Sequence, residues 1–136
     1  MYVHHAAFFI CMFALLHAFL TTRVIGRRRA KLIAYGDGGD EKMIRIQSAQ
    51  SNLLENAMYM SLLLIVAELM LSAAGKRFGW ILFTLSSLFL VGRVLHIHGM
   101  IKFDLKTRKI GMHLTIWPLL ATVFYTLYLS VAPLLS

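Results

Sequence analysis

Residues 45–59 read Arg-Ile-Gln-Ser-Ala-Gln-Ser-Asn-Leu-Leu-Glu-Asn-Ala-Met-Tyr and pass without a break into the apolar run Met60 to Ala74. On a helix advancing about 100° per residue, Arg45, Ser48, Asn52, Glu55 and Tyr59 fall within an arc of about 80°, with Asn56 at its border. One face of a helix that enters a hydrophobic layer is therefore polar. An ionised carboxylate left facing hydrocarbon costs roughly 2.5 to 3.5 kcal/mol on insertion scales, so Glu55 is expected to face protein, ligand or water. Two readings of this face stay open at this point: a polar seam between packed helices, and a binding site.

Working outward, four apolar segments appear at Tyr2 to Ile25, Ala57 to Ala74, Phe78 to Ile101 and Met112 to Leu135. Each is close to the approximately 20 residues that cross a bilayer. With 59% hydrophobic residues and a mean hydropathy of +0.71, a 136-residue chain leaves too little between these segments for a separate soluble core. The expectation is one all-α integral membrane domain over 1–136, a bundle of four transmembrane helices at about 2–25, 40–74, 78–101 and 110–134. Asp40 and Glu41 suit the N-terminus of the second helix, and the turn Gly36-Asp37-Gly38-Gly39 precedes it. That turn lacks the Lys and Ser or Thr register of a phosphate-cradling loop. Gly75-Lys76-Arg77 makes helices two and three antiparallel neighbours, and Pro118 is expected to kink helix four.

All 14 Lys and Arg residues lie between Arg23 and Lys109. They concentrate in the first connection, from Arg23 to Arg45, and the third, from Lys102 to Lys109. The positive-inside rule then places both termini outside and connections one and three in the cytoplasm. The first segment reads as a retained helix, since its basic residues follow the apolar run instead of preceding it. A net charge of +8 suits anionic lipid headgroups at that surface. Nucleic acid is excluded as a partner because the charges flank spans. Cys11 lies alone in an apolar segment and reads as a small apolar residue. The histidines do not offer metal-ligand spacing, so no metal is expected.

Counting 1.5 Å per residue from Lys76 puts Glu55 about 31 Å along helix two, Arg93 about 25 Å along helix three and His96 about 30 Å. Arg93 and His96 share a face, being three residues apart. Arg93 is expected to pair with Glu55, while His96 is either a packing histidine or a ligand contact. Glu68 points away from the polar face and is expected to meet another helix or to snorkel outward.

The segment Asn52-Leu53-Leu54-Glu55, together with Gly92-Arg93-Val94-Leu95-His96, resembles the MAPEG family, the membrane-associated proteins of eicosanoid and glutathione metabolism. The resemblance covers nearly the whole chain, and Ala34-Tyr35-Gly36-Asp37-Gly38-Gly39 is similar to the turn of small bacterial members. It implies a homotrimer in a bacterial inner membrane that binds glutathione as co-substrate between subunits, near the cytoplasmic side. It also implies transferase or peroxidase chemistry on lipophilic electrophiles entering from lipid. Carried over residue by residue, the glutathione site comprises Asn52, Glu55, Arg93 and His96, with Arg45 standing in for an Arg that this chain replaces by Ser48. Tyr59 continues that face. Lys109 stands at the position of the thiolate-stabilising Arg, with Arg108 beside it, and these two are the catalytic candidates. His113 occupies a position where the enzymes often carry Tyr, and Met100 another. The competing expectation is a non-catalytic oligomeric module whose polar seam binds a lipid or anionic metabolite. A transporter is a third class, but the chain shows no inverted repeat.

Overall fold

The structure, a computed structural model, describes residues 3–76 and 79–134. The expected starts of helices one and three, at residues 2 and 78, and Arg77 of the connection lie outside the described residues. Helices α1 (His4–Lys31), α2 (Glu41–Ala73), α3 (Trp80–Lys102) and α4 (Leu105–Val131) are followed by a 3-10 turn, Ala132–Leu134, with no strand among the described residues. All four helices are long and apolar enough to cross a membrane.

Two boundaries differ from expectation. The first helix does not end near residue 25 but runs on through Arg27, Arg28 and Arg29 to Lys31, ending where Leu32 adopts a left-handed conformation (φ 53°). Basic side chains are good helix formers and suit a helix C-terminus, so the loss of hydrophobicity marks where α1 leaves the apolar layer and not where it stops. The fourth helix starts at Leu105 instead of 110, because Asp104 accepts from the backbone N–H groups of Lys106 and Thr107 and caps it. Pro118 lies inside α4, which continues through it.

The helices α1 and α2 are fastened at both ends. At the basic end, Arg27 grips Asp40 with two parallel hydrogen bonds, Nε to Oδ1 at 2.9 Å and Nη2 to Oδ2 at 2.6 Å. The same Asp40 Oδ1 accepts from the N–H of Met43, so one carboxylate both caps α2 and ties down α1. Arg27 holds the Asp40 carboxyl well below its ordinary range, at about 2. At the opposite end Glu68 of α2, 6% exposed, accepts from the backbone N–H groups of His5 (3.2 Å) and Ala6 (3.0 Å). Its Oε1 also lies 2.7 Å from His5 Nδ1. The expected packing of Glu68 against another helix is what the structure has, and its form is specific: α1 has no capping side chain of its own, and α2 supplies one to its orphan N–H groups.

The α3–α4 hairpin turns through Phe103 and Asp104 alone. It is the tightest pairing in the bundle because glycine removes side chains where the backbones meet. A Cβ on Gly111 would lie 2.4 Å from the backbone nitrogen of His96, one on Gly99 2.5 Å from that of Arg108, and one on Gly92 2.6 Å from the carbonyl carbon of Leu114. Small residues at helix contacts allow this close approach in membrane bundles. Leu114 is also the residue whose carbonyl Pro118 leaves without its usual helical donor. Phe9, Phe13, Leu53, Met60, Leu64 and Phe89 fill the space among the first three helices.

Candidate functional site

The polar face of α2 divides into two layers. Asn52 is the inner one: its Oδ1 accepts from Arg93 Nη2 at 2.7 Å, and Arg93 also donates through Nη1 to Thr115 Oγ1 of α4 at 3.4 Å. Thr115 is itself held by donating to the Gly111 carbonyl at 2.8 Å. Three helices are thus joined through one guanidinium, which is 1% exposed and whose Nε has no hydrogen-bond partner among the described residues. Both of its partners are neutral, and no carboxylate pairs with it among the described residues. A buried cation so placed retains most of its attraction for an anion, since little screening water surrounds it.

Glu55 does not pair with Arg93, contrary to the expectation from depth. The two sit on nearby levels, but Glu55 is rotated about 60° from Asn52 around α2, and that rotation turns its exposed side chain outward while Asn52 faces α3. Glu55 instead lines an open groove along the outer layer of the face, with Asn52, Ser51, Ser48, Gln47, Ile44 and Asp37. The groove has a volume of about 460 Å³. Asp37 arrives from the first connection, whose turn is set by its own carboxylate accepting from the N–H of Gly39. A positive φ at Gly36, Gly38 and Gly39 lets the chain double back there.

Arg45 is not on the groove wall. Its Nη2 donates to Glu41 Oε2 at 2.9 Å, and its guanidinium lies 4.5 Å from the centre of the Phe103 ring at the α3–α4 turn. Tyr59 is exposed one turn beyond Glu55. His96 is buried beside the glycine seam, where Nδ1 donates to the Arg108 carbonyl at 3.4 Å. That contact joins His96 to the first turns of α4. The Arg108 and Lys109 side chains are exposed on α4, and neither lines the α2 groove. His113 lies in a different cleft, with Leu85, Leu88, Trp117 and Pro118, to which α2 contributes nothing.

Within one chain the structure therefore brings together Asn52, Arg93 and Thr115, and separately Ser48, Asn52 and Glu55. It leaves Arg45, Tyr59, Arg108, Lys109 and His113 apart from them. Sequence reasoning missed Thr115, Asp37 and Gln47. Thr115 carried one usable signal, a hydroxyl one helical turn after Gly111 at the level of Arg93; the other two sit outside the apolar segments, where polarity is uninformative.

The arrangement offers a carboxylate, an amide and hydroxyls that can hold a polar, amine-bearing molecule along α2, with a buried cation behind the amide. All lining residues come from α2 and the first connection, so the groove's far side is open. The family model described as the MAPEG family matches residues 6–128. No curated protein matches the chain.

Proposed function

This chain belongs to the MAPEG family, and on that premise we propose that it binds glutathione in the α2 groove and transfers the thiolate to lipophilic electrophiles. Family membership and four spanning helices make it an integral, multi-pass membrane protein. The charge distribution supports an orientation with the basic end, and hence the groove, toward the cytoplasm. The resemblance to small bacterial members supports a bacterial inner membrane.

The observation that carries the reading is the buried Arg93, without a carboxylate partner among the described residues and set behind an Asn52 that also lines the groove. Glu55 would accept from the α-amino group of glutathione, Asn52 and Ser48 would bond its peptide groups, and the Arg93 charge would favour its anionic form. The thiol proton leaves to water, and the sulfur electron pair then forms a bond to carbon of an electrophile dissolved in the bilayer. Depending on that electrophile, the pair displaced goes to a leaving group or into an adjacent π-system. With a peroxide acceptor the sulfur would instead take the terminal oxygen as a sulfenic acid while the O–O bond breaks and the alcohol leaves, and a second glutathione would then displace water to give the disulfide.

The open side of the groove and the separation of Arg108, Lys109 and His113 from it support assembly with a further copy whose α4 approaches from outside, and the family resemblance supports three copies. Arg108 would then stabilise the thiolate, its planar fork and permanent charge serving better than the Lys109 ammonium. A second reading, binding without turnover, is favoured by the exposed position of both cations in the single chain.

Ultraviolet titration of glutathione with the purified protein tests the proposal. A thiolate absorbance persisting near neutral pH, abolished in the Arg108→Ala, Lys109→Ala double variant, is the expected result. Calorimetric binding without a thiolate would establish the second reading, and no heat at millimolar glutathione would end both.

A further inference from the structure

The basic end of the bundle carries a second cleft, unconnected with the α2 groove. Between α1 and α3 the side chains of Leu16, Phe19, Val94, Ile97 and Ile101 enclose an apolar channel of about 230 Å³. Its mouth is rimmed by Arg23, His98 and Lys102. Both helices run in the same direction, so Arg23 and Lys102 stand together near the basic end while Leu16, Phe19, Val94 and Ile97 lie deeper in the hydrocarbon layer. From Arg23 back to Leu16 is about 10 Å along the helix.

The rim is held in place and electrostatically unspent. The Arg23 guanidinium sits 5.0 Å from the centre of the Phe19 ring, which fixes it over the channel mouth. Neither Arg23 nor Lys102 forms an ion pair among the described residues. The Asp104 carboxylate, which caps α4, is near His98, so the positive charge of the rim rests on Arg23 and Lys102. On its other side Arg23 borders a recess with Arg27 and Lys42, where the Asp40 carboxylate is held by Arg27 and Lys42 adds a further positive charge. An apolar channel normal to the membrane surface, closed at the headgroup level by free cations, has the charge and shape complementary to one molecule class.

We infer that the α1–α3 channel binds an anionic glycerophospholipid of the leaflet at the basic end, its phosphate on Arg23 and Lys102 and one acyl chain between Phe19 and Ile97. A zwitterionic lipid fits the channel and offers the same phosphate, but the rim cations repel its quaternary ammonium, so it binds less tightly. The site is independent of the glutathione reading, since it shares no residue with the α2 groove.

Native mass spectrometry of the full chain, released from detergent after incubation with equimolar phosphatidylglycerol and phosphatidylcholine, tests it. Phosphatidylglycerol adducts are expected to dominate. They should weaken roughly tenfold or more in an Arg23→Gln, Lys102→Gln variant, as expected for loss of two interfacial cations. Val94→Trp, which keeps every charge but fills the channel from an exposed position, should weaken them as well. Should the charge variant lose its helical melting transition, Val94→Trp decides alone. Equal retention of the two lipids, or phosphatidylglycerol retention indifferent to Val94→Trp, overturns the site. So does displacement of the lipid by millimolar inorganic phosphate, which would show a surface anion contact without a channel. A change of oligomer mass in Val94→Trp with no lipid adduct in the parent would mean that a second copy covers the channel, and would overturn it equally.

Discussion

Asn52 and Glu55, three residues apart, both line the groove, but only one of them reaches inward. Asn52 accepts from the buried Arg93, whereas Glu55 is exposed along the groove. Replacing Asn52 with Leu leaves Arg93 only the long Thr115 contact and is expected to destabilise the protein by about 1 to 3 kcal/mol, the range for orphaning a buried donor. Glu55→Gln is expected to change stability by less than about 0.5 kcal/mol while weakening any ligand whose amine it accepts. Thermal melts of both variants in one detergent check this; equal melting temperatures for parent and Asn52→Leu would remove Asn52 from the Arg93 site. Counting helical rise from the sequence set Arg93 within about 6 Å of the level of Glu55, whereas the residue it meets is Asn52, a turn farther from Lys76. Rise did not carry the azimuth. Which of two polar neighbours faces α3 depends on helix rotation, and the polar arc spans both. Thr115 was legible only through its spacing from Gly111, because a hydroxyl that can donate to the carbonyl one turn back is self-sufficient in a spanning helix.

At the scale of elements, the glycine seam predicts opposite outcomes for one chemical change. Gly111→Ala drives a methyl group onto the backbone of α3, 2.4 Å from the His96 nitrogen, and is expected to cost at least the 1 to 3 kcal/mol or so of overpacking, since backbone cannot rotate aside. Gly26→Ala meets nothing within 4 Å on the exposed α1 and should stabilise by up to about 1 kcal/mol through helix propensity. Chemical denaturation followed by circular dichroism distinguishes them, and a neutral Gly111→Ala would show that the hairpin is looser than described. The α1–α2 clasp has a pH signature. Asp40 is held at about 2 by Arg27, against an ordinary 3.8, so the folded state binds its proton less readily than the unfolded chain does. Its contribution is complete above about pH 4 and is lost as the pH falls through 2. Hydrogen exchange at the start of α2 should therefore quicken over that acid interval in the parent and not in Asp40→Asn; parallel profiles would contradict the clasp. Helix number and order were legible from four apolar runs. Helix ends were not, since α1 and α4 extend into basic segments where hydropathy falls while helical propensity does not.

For the whole molecule, the groove lined by α2 and the first connection is half of an enclosure. If a neighbouring copy supplies the other half, glutathione affinity will follow assembly: a detergent that separates the copies without unfolding them should abolish calorimetric binding, with recovery on reassembly. Binding that persists in the monomer would confine the site to one chain. Nothing in a single sequence distinguishes a lipid-facing helix from one facing its own copy, because both are apolar. The assembly was accordingly legible only through family resemblance.

The carboxylate that completes the first turn of α1 belongs to Glu68, 62 residues farther along the chain than Ala6. During synthesis α1 leaves the ribosome long before Glu68 does, and until α2 follows, its leading N–H groups must be satisfied by water or headgroups. A lone α1 is thus biased to linger with that end at the interface, and arrival of α2 draws it to its final depth. The first two helices are accordingly expected to settle in the membrane as one hairpin, Glu68 joining α1 only once α2 is in place.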